Sequence, residues 1–105
     1  MTDDNLTSLL AERVMHWRVA PGRFLMADRR WIPRWRFQPT EKLGDAFRLL
    51  EAAAPDEYSM CGEKGAFLVQ VRLGGATGES SGQSKARAIT LAIARAIGVD
   101  VDSCD

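Results

Sequence analysis

The chain has 105 residues, of which 46% are hydrophobic and 27% are charged, and its formal net charge is zero. This length predicts one domain with a single core over residues 1–105, and the balanced composition excludes a disordered chain and argues against a dedicated nucleic-acid binder. The chain has no apolar run near the roughly 18 residues of a membrane span, and its polar, acidic start predicts that no signal peptide is present.

Charge is unevenly distributed along the sequence. Residues 13–36, named here the arginine–tryptophan segment, contain seven arginines, all three tryptophans and one acid, Asp28. The segment therefore carries a net charge of +6, and the rest of the chain sums to −6. Guanidinium groups bind phosphates and carboxylates through paired hydrogen bonds, while indole rings pack against or stack on planar groups. This segment is the strongest indication of function in the sequence.

The first predicted helix begins near Asp3 and Asp4, whose carboxylates suit a helix N-terminus. His16, the only histidine, is expected at its C-terminal end, where it meets the helix dipole and binds no metal. Pro21-Gly22 is a stop signal after this helix. The apolar stripe that faces the core has helical spacing and consists of Leu6, Leu9, Leu10, Val14 and Trp17.

Two short strands are predicted next, over 23–27 and 31–37, joined by Asp28-Arg29-Arg30. In the second strand, the alternation of residues predicts two faces. One is aromatic and is made by Trp31, Pro33, Trp35 and Phe37; the other is made by Ile32, Arg34 and Arg36. Because Pro33 cannot donate a ladder hydrogen bond, this segment is an edge strand or a strand broken at Pro33.

A second helix is predicted from Thr40, its N-cap, to Pro55. A hairpin with strands over 57–61 and 66–73 follows, and then a glycine-rich loop over 74–82. The last helix is alanine-rich, with Ser80 and Gln83 at capping-box spacing before it and Gly98 at its end. The acidic tail, 99–105, is expected to be mobile.

The order of elements, α-β-β-α-β-β-α, predicts an α+β fold. Its sheet is expected to be mainly antiparallel, with four strands sandwiched by helices as an α/β/α sandwich. The side chains expected in the core are Trp17, Phe47, Phe67, Val69, Ile89 and Ile93.

The chain shows no catalytic or metal-binding pattern, so neither enzyme activity nor a cofactor is expected. The glycine-rich loop resembles a phosphate-binding loop in layout, but Gln83 follows Gly82 where such a loop requires lysine. A single histidine and two separated cysteines, Cys61 and Cys104, do not make a zinc site, and both thiols are expected to be reduced.

The candidate ligand-binding residues are Arg29, Arg30, Trp31, Arg34 and Arg36. Arg34 and Arg36 are expected to be free on the face opposite Trp35, and Trp31 is the candidate stacking residue. Alternatively, the segment's aromatic side chains are core and its arginines are merely solvated. Non-specific nucleic-acid binding is a further alternative that the zero net charge disfavours.

Three stretches of the chain resemble the phage ABA-sandwich domain family, small proteins encoded by tailed phages and prophages. Leu10–Trp17 is similar to the family's opening "VAEKVMGW" pattern, with His16 where glycine is usual. Thr40–Phe47 is similar to a "STDIAAAW"-like helix start, with Lys42 in place of the acid. The strand over 67–73, the glycine-rich loop and the helix over 86–96 resemble the family's strand, "GEA"-type turn and alanine-rich helix.

The resemblance implies helices around an antiparallel sheet and brings no catalytic residues. It suggests a non-catalytic phage or prophage accessory protein that acts in the bacterial cytoplasm. The arginine–tryptophan segment favours sequestration of a small anionic, nucleotide-like ligand of a host system, as in an anti-defence sponge, with a site between subunits of a homo-oligomer. The alternatives are a protein-interaction module that binds or inhibits an acidic host protein, and an unspecialised structural accessory protein.

Overall fold

A computed structural model describes residues 3–99, in which the chain forms three α-helices and six β-strands. The predicted α+β class is confirmed. A 3₁₀ turn, Arg34–Arg36, follows the third strand. The helices are α1 (Asp3–Arg13), α2 (Leu43–Ala53) and α3 (Lys85–Ala96), and the strands are β1 (Arg18–Ala20), β2 (Arg23–Leu25), β3 (Trp31–Pro33), β4 (Glu57–Glu63), β5 (Ala66–Leu73) and β6 (Ala76–Gly82).

The strands form two antiparallel three-strand sheets, so the predicted four-strand sheet is wrong. Sheet A has the order β1-β2-β3 and sheet B the order β4-β5-β6. Two strands were missed: β1 has only three residues, and β6 is the segment predicted as a glycine-rich loop. Gly74 and Gly75 form the two-residue turn before β6, both with positive φ (56° and 88°), as a tight hairpin turn requires.

The third helix packs against the inner face of sheet B at unusually close range. A Cβ atom placed on Gly78 of β6 would lie 2.0 Å from the carbonyl oxygen of Ala92 and 2.4 Å from the backbone nitrogen of Ala96. Only glycine leaves room for this approach. The helix is capped by Ser84, whose Oγ accepts a hydrogen bond from the Arg87 backbone N–H (3.2 Å), and not by Ser80, which is buried within β6.

The second helix starts two residues later than predicted, with Lys42 at the N-cap position in place of Thr40. Thr40 is buried and lies in a turn where the backbone N–H groups of Glu41 and Lys42 both donate to the Gln38 carbonyl oxygen (3.0 and 2.8 Å), so it is not the N-cap. The hydroxyl of Thr90 on α3 lies 2.8 Å from the Pro39 carbonyl oxygen and ties this turn to the core.

The predicted core is correct for four of its six residues. Val69 and Val71 on β5 pack with Ile89 and Ile93 on α3, and Trp17 is also buried. Phe67 is half-buried. Phe47 is 37% exposed, because α2 buries the face formed by Ala46, Leu49 and Leu50, and Phe47 projects to one side of it.

The outward face of β5 in sheet B, formed by Leu68, Gln70 and Arg72, is exposed, and no described helix covers it. The side chain of Asp3, for which a capping role was predicted, is not among those the structure describes. Residues 100–105 of the tail predicted to be mobile also lie outside the described part of the chain.

Candidate anion-binding surface

Three aromatic side chains fix the base of the arginine–tryptophan segment. The ring of Trp17 lies with its centroid 6.0 Å from that of Phe24 and 5.0 Å from that of Phe37, and the two phenyl rings are 6.1 Å apart in an edge-to-face arrangement. All three are buried. This cluster joins the connection between α1 and β1, strand β2 and the residue after the 3₁₀ turn, so the exposed part of the segment rests on a packed aromatic core.

The other two tryptophans are exposed. Trp31 keeps 46% of its surface accessible and Trp35 keeps 62%. The alternative in which Trp31, Trp35 and Phe37 form the core is therefore correct only for Phe37. Exposing an indole forfeits the free energy of burying a large apolar side chain, so exposed tryptophans are candidates for contact with a ligand or partner.

The predicted alternation over 31–37 fails because the strand breaks at Pro33, as one of the two sequence interpretations anticipated. The next residues turn as a 3₁₀ helix, with the Arg34 backbone N–H donating to the Gly22 carbonyl oxygen (3.0 Å). Arg34 and Arg36 consequently do not share a strand face opposite Trp35.

Arg34 is engaged with α1 and is not free. Its guanidinium donates hydrogen bonds to the Asp4 carbonyl oxygen and to the Ser8 hydroxyl, and its Nε is 4.0 Å from the Asp4 carboxylate. It also lies over the Phe24 ring, 5.2 Å from the centroid. The expectation of a free Arg34 is wrong: this side chain holds the 3₁₀ turn against the first helix.

Arg29 and Arg30 lie in an ordered turn between β2 and β3. The Asp28 carboxylate accepts hydrogen bonds from the side-chain Nε of Arg30 (2.8 Å) and from the Arg30 backbone N–H (3.2 Å), and these contacts hold the pKa of Asp28 below its ordinary value. The Met26 backbone N–H donates to the Arg30 carbonyl oxygen (2.8 Å), and Arg29 adopts a left-handed conformation (φ 68°). The turn therefore presents its arginines from a defined backbone.

A first concave site lies where this turn meets α2. It has a volume of about 360 Å³ and is lined by Met26, Ile32, Trp31, Arg30, Arg36 and Arg48. We name it the Arg48 hollow. It brings together three guanidiniums and an indole, and its lining contains no carboxylate. Among the described residues, neither Arg36 nor Arg48 forms an ion pair.

Arg48 was missed by sequence reasoning. It lies on α2, twelve positions beyond Arg36, and its guanidinium carbon is 5.1 Å from the Trp17 ring centroid. A lone arginine in an amphipathic helix carries no signal of its own. Arg48 comes close to the arginine–tryptophan segment only in the folded chain, where α2 packs beside the aromatic cluster.

A second concave site, of about 600 Å³, adjoins the first. It is lined by Leu25, Met26 and Trp31 together with His16, Arg18 and Arg29. We name it the Arg18 hollow. The two hollows share Met26 and Trp31, and again no carboxylate lines the cavity. The sequence prediction included Arg29 but neither Arg18 nor His16.

Within residues 3–99, no cluster of three or more His, Cys, Asp or Glu side chains is placed to hold a metal ion. Over the same range, no helix has the length and apolar character needed to cross a membrane. Cys61 is exposed and unpaired with another cysteine, and Cys104 lies outside the described residues.

Three helices and two antiparallel three-strand sheets, with a cationic, tryptophan-bearing surface, define a small α+β domain. The chain belongs to the Phage ABA sandwich domain family, whose model matches residues 8–93. The fold is similar to that in a 2.0 Å crystal structure of a phage protein from Bacillus cereus ATCC 14579, with a TM-score of 0.73, 13% sequence identity, and coverage of 95% of this chain and 91% of that one. A search of curated proteins finds no match.

The backbone conformation of His16 is unusual for a residue other than glycine. His16 is in the left-handed region (φ 59°), at the point where the chain leaves α1. Glycine adopts this conformation without steric cost, which agrees with the glycine in the "VAEKVMGW" pattern that this stretch of the sequence resembles. The helix itself ends at Arg13, so His16 lies beyond it.

Proposed function

We propose that this protein is a non-catalytic phage accessory protein that sequesters a small, anionic, nucleotide-like ligand in the cytoplasm of the host bacterium. The observation that carries the proposal is the Arg48 hollow, where Arg30, Arg36 and Arg48 line one cavity beside the exposed ring of Trp31. Arg30 already pairs with Asp28. Arg36 and Arg48 form no ion pair among the described residues, so their like charges are relieved when a phosphate binds between them. Each guanidinium can also donate paired hydrogen bonds to phosphate oxygens.

Trp31 supplies the surface for the planar part of such a ligand. The Arg23 guanidinium lies over the ring, 4.2 Å from the centroid, on the outer face of sheet A. The remaining exposed ring surface can stack with a nucleobase, a contact worth about 1–3 kcal/mol where it has been measured by substitution. Guanidinium and base would then lie against one indole, a combination that suits an aromatic anion.

The lining of the two hollows supports binding without turnover. The guanidinium groups can bind an anion, and the indole, thioether and aliphatic groups can pack against its planar part, but none of them is an activated nucleophile. His16 is the one imidazole in the lining, and no carboxylate lines either cavity to orient it as a general base. Sequestration therefore fits these residues better than hydrolysis does.

We further propose that the ligand is closed over by a second copy of the chain. Both hollows are open to solvent, whereas well-formed small-molecule sites bury most of the ligand. A homo-oligomer would supply the missing wall. Light scattering coupled to size-exclusion chromatography, with and without nucleotide, measures the subunit number directly.

The proposal is tested by titrating the purified protein with adenosine 5′-diphosphate in a calorimeter. Replacing Arg36 or Arg48 by alanine should each cost about 1.5–3 kcal/mol of binding free energy, the size of a hydrogen bond to a charged group. The affinity should also fall as salt rises. Arg72→Ala is the matched control, because Arg72 is on the outer face of sheet B and pairs with Glu57 at 2.9 Å. Equal affinity in all three variants would refute the proposed site.

A rival function, binding of an acidic host protein, is favoured by one observation. Trp35 is the most exposed tryptophan and lines neither hollow, and Arg36 lies beside it with its guanidinium carbon 5.7 Å from the ring centroid. Exposed tryptophan and arginine are typical hot-spot residues of protein interfaces. Under the sequestration proposal, Trp31→Ala weakens nucleotide binding and Trp35→Ala does not. Weakened binding in Trp35→Ala alone would contradict the proposed stacking position.

A further inference from the structure

The two hollows form a pair around one tryptophan. Met26 and Trp31 line both, so the cavities adjoin at these side chains. On one side the cationic groups are Arg30, Arg36 and Arg48, and on the other they are Arg18 and Arg29. A ligand with one compact anionic group would satisfy one set of guanidiniums and leave the other without a counter-charge.

The two sets are carried by different elements. Arg18 is on β1, where it pairs with Leu25, and Leu25 in turn pairs with Trp31, so these three residues form one row across the outer face of sheet A. Arg29 belongs to the β2–β3 turn, its backbone N–H donating to the Met26 carbonyl oxygen (3.0 Å). The opposite set includes Arg36 at the end of the 3₁₀ turn and Arg48 on α2.

We infer that the ligand is a nucleotide with two separated phosphate groups, one held in each hollow, while its base contacts Trp31. This inference rests on the proposed function and narrows its ligand class. Two phosphates separated by a nucleoside can reach guanidiniums on both sides of the indole, whereas the phosphates of a diphosphate are contiguous and fill one hollow. The chemistry is recognition of two phosphoryl groups by two arginine sets, with no covalent step.

The order of affinities among three commercial probes tests the inference. Adenosine 5′-monophosphate, adenosine 5′-diphosphate and adenosine 3′,5′-bisphosphate share one base, and the last two differ in whether their phosphates are contiguous or separated. In calorimetric titrations at fixed salt, we expect the 3′,5′-bisphosphate to bind at least tenfold more tightly than the diphosphate. Arg18→Ala and Arg48→Ala should each reduce that preference to less than threefold, and Arg72→Ala should leave it unchanged.

The outcomes separate this inference from the proposed function. If the diphosphate binds as tightly as the bisphosphate, and Arg48→Ala still weakens it tenfold, the single-hollow site stands and the two-phosphate inference is wrong. If none of the three probes binds and the Arg48→Ala variant behaves like the wild type, both fail. Thermal unfolding of each variant checks that the fold is retained. Because Arg18 and Arg48 belong to separate elements, one local rearrangement cannot explain a loss of the preference for the bisphosphate in both variants.

Discussion

Replacing Gly78 by alanine should destabilise the protein strongly, because the new Cβ would lie 2.0 Å from the Ala92 carbonyl oxygen and 2.4 Å from the Ala96 nitrogen. Ordinary contacts begin near 3.4 Å, so β6 and α3 must separate by more than 1 Å. Both opposing atoms are backbone and cannot rotate away. Overpacking of this kind costs about 1–3 kcal/mol, and the absence of any flexible neighbour places Gly78→Ala near the upper end.

Urea denaturation followed by tryptophan fluorescence measures this loss, since Trp17 is buried in the aromatic cluster. Gly82→Ala is the matched control: Gly82 is in the same strand, and a Cβ there meets nothing within 4 Å. We expect the control to remain within about 0.5 kcal/mol of the wild type. An equally small change in Gly78→Ala would refute the close approach of α3 to β6.

Three further predictions concern the first helix and the β2–β3 turn. His16→Gly should stabilise the protein by about 1 kcal/mol in the same denaturation assay, because glycine removes the cost of a left-handed side chain. Arg34→Ala should lower the unfolding free energy by about 1–2 kcal/mol through loss of its hydrogen bonds to Asp4 and Ser8, whereas Arg72→Ala should not. In an NMR titration, the Asp28 carboxyl should show a pKa below its ordinary value in the wild type and closer to that ordinary value in Arg30→Ala, which removes the side-chain hydrogen bond. Since folding lowers this pKa, the contribution of Asp28 to stability should be present above the unfolded-state value and lost as the pH falls through the folded-state value.

The helices and β5 were predictable because burial imposes a period on their sequences. Val69 and Val71 alternate with exposed Gln70, and α2 buries one helical face, whereas α3 was recognisable by its run of alanine and aliphatic residues and is buried on nearly all sides. The last strand escaped prediction because β6 contains glycine, serine and threonine without an alternating apolar set. Its inner face meets the α3 backbone, which leaves no room for larger side chains at Gly78. The Gly74-Gly75 turn was the remaining sign of a hairpin.

The candidate site was predictable only where its residues are neighbours in sequence. Local composition pointed to Arg29, Arg30, Trp31 and Arg36: each arginine lines one of the two hollows, and Trp31 lines both. Arg34 was misassigned because alternation assumed a continuous strand, which Pro33 ends. Arg48 is brought to the site by packing between distant segments, for which a single sequence carries no periodic signal.

The polar character of β6 also affects the concentration that the protein can reach without aggregating. β6 lies at an edge of sheet B, where unpaired backbone groups can recruit strands from other molecules. Its outward side chains, Thr77, Glu79 and Ser81, give an incoming strand little apolar surface and place a charge in the middle. The proposed sequestration is stoichiometric, so it requires the protein to accumulate to the concentration of its ligand. An edge that resists intermolecular pairing suits that requirement.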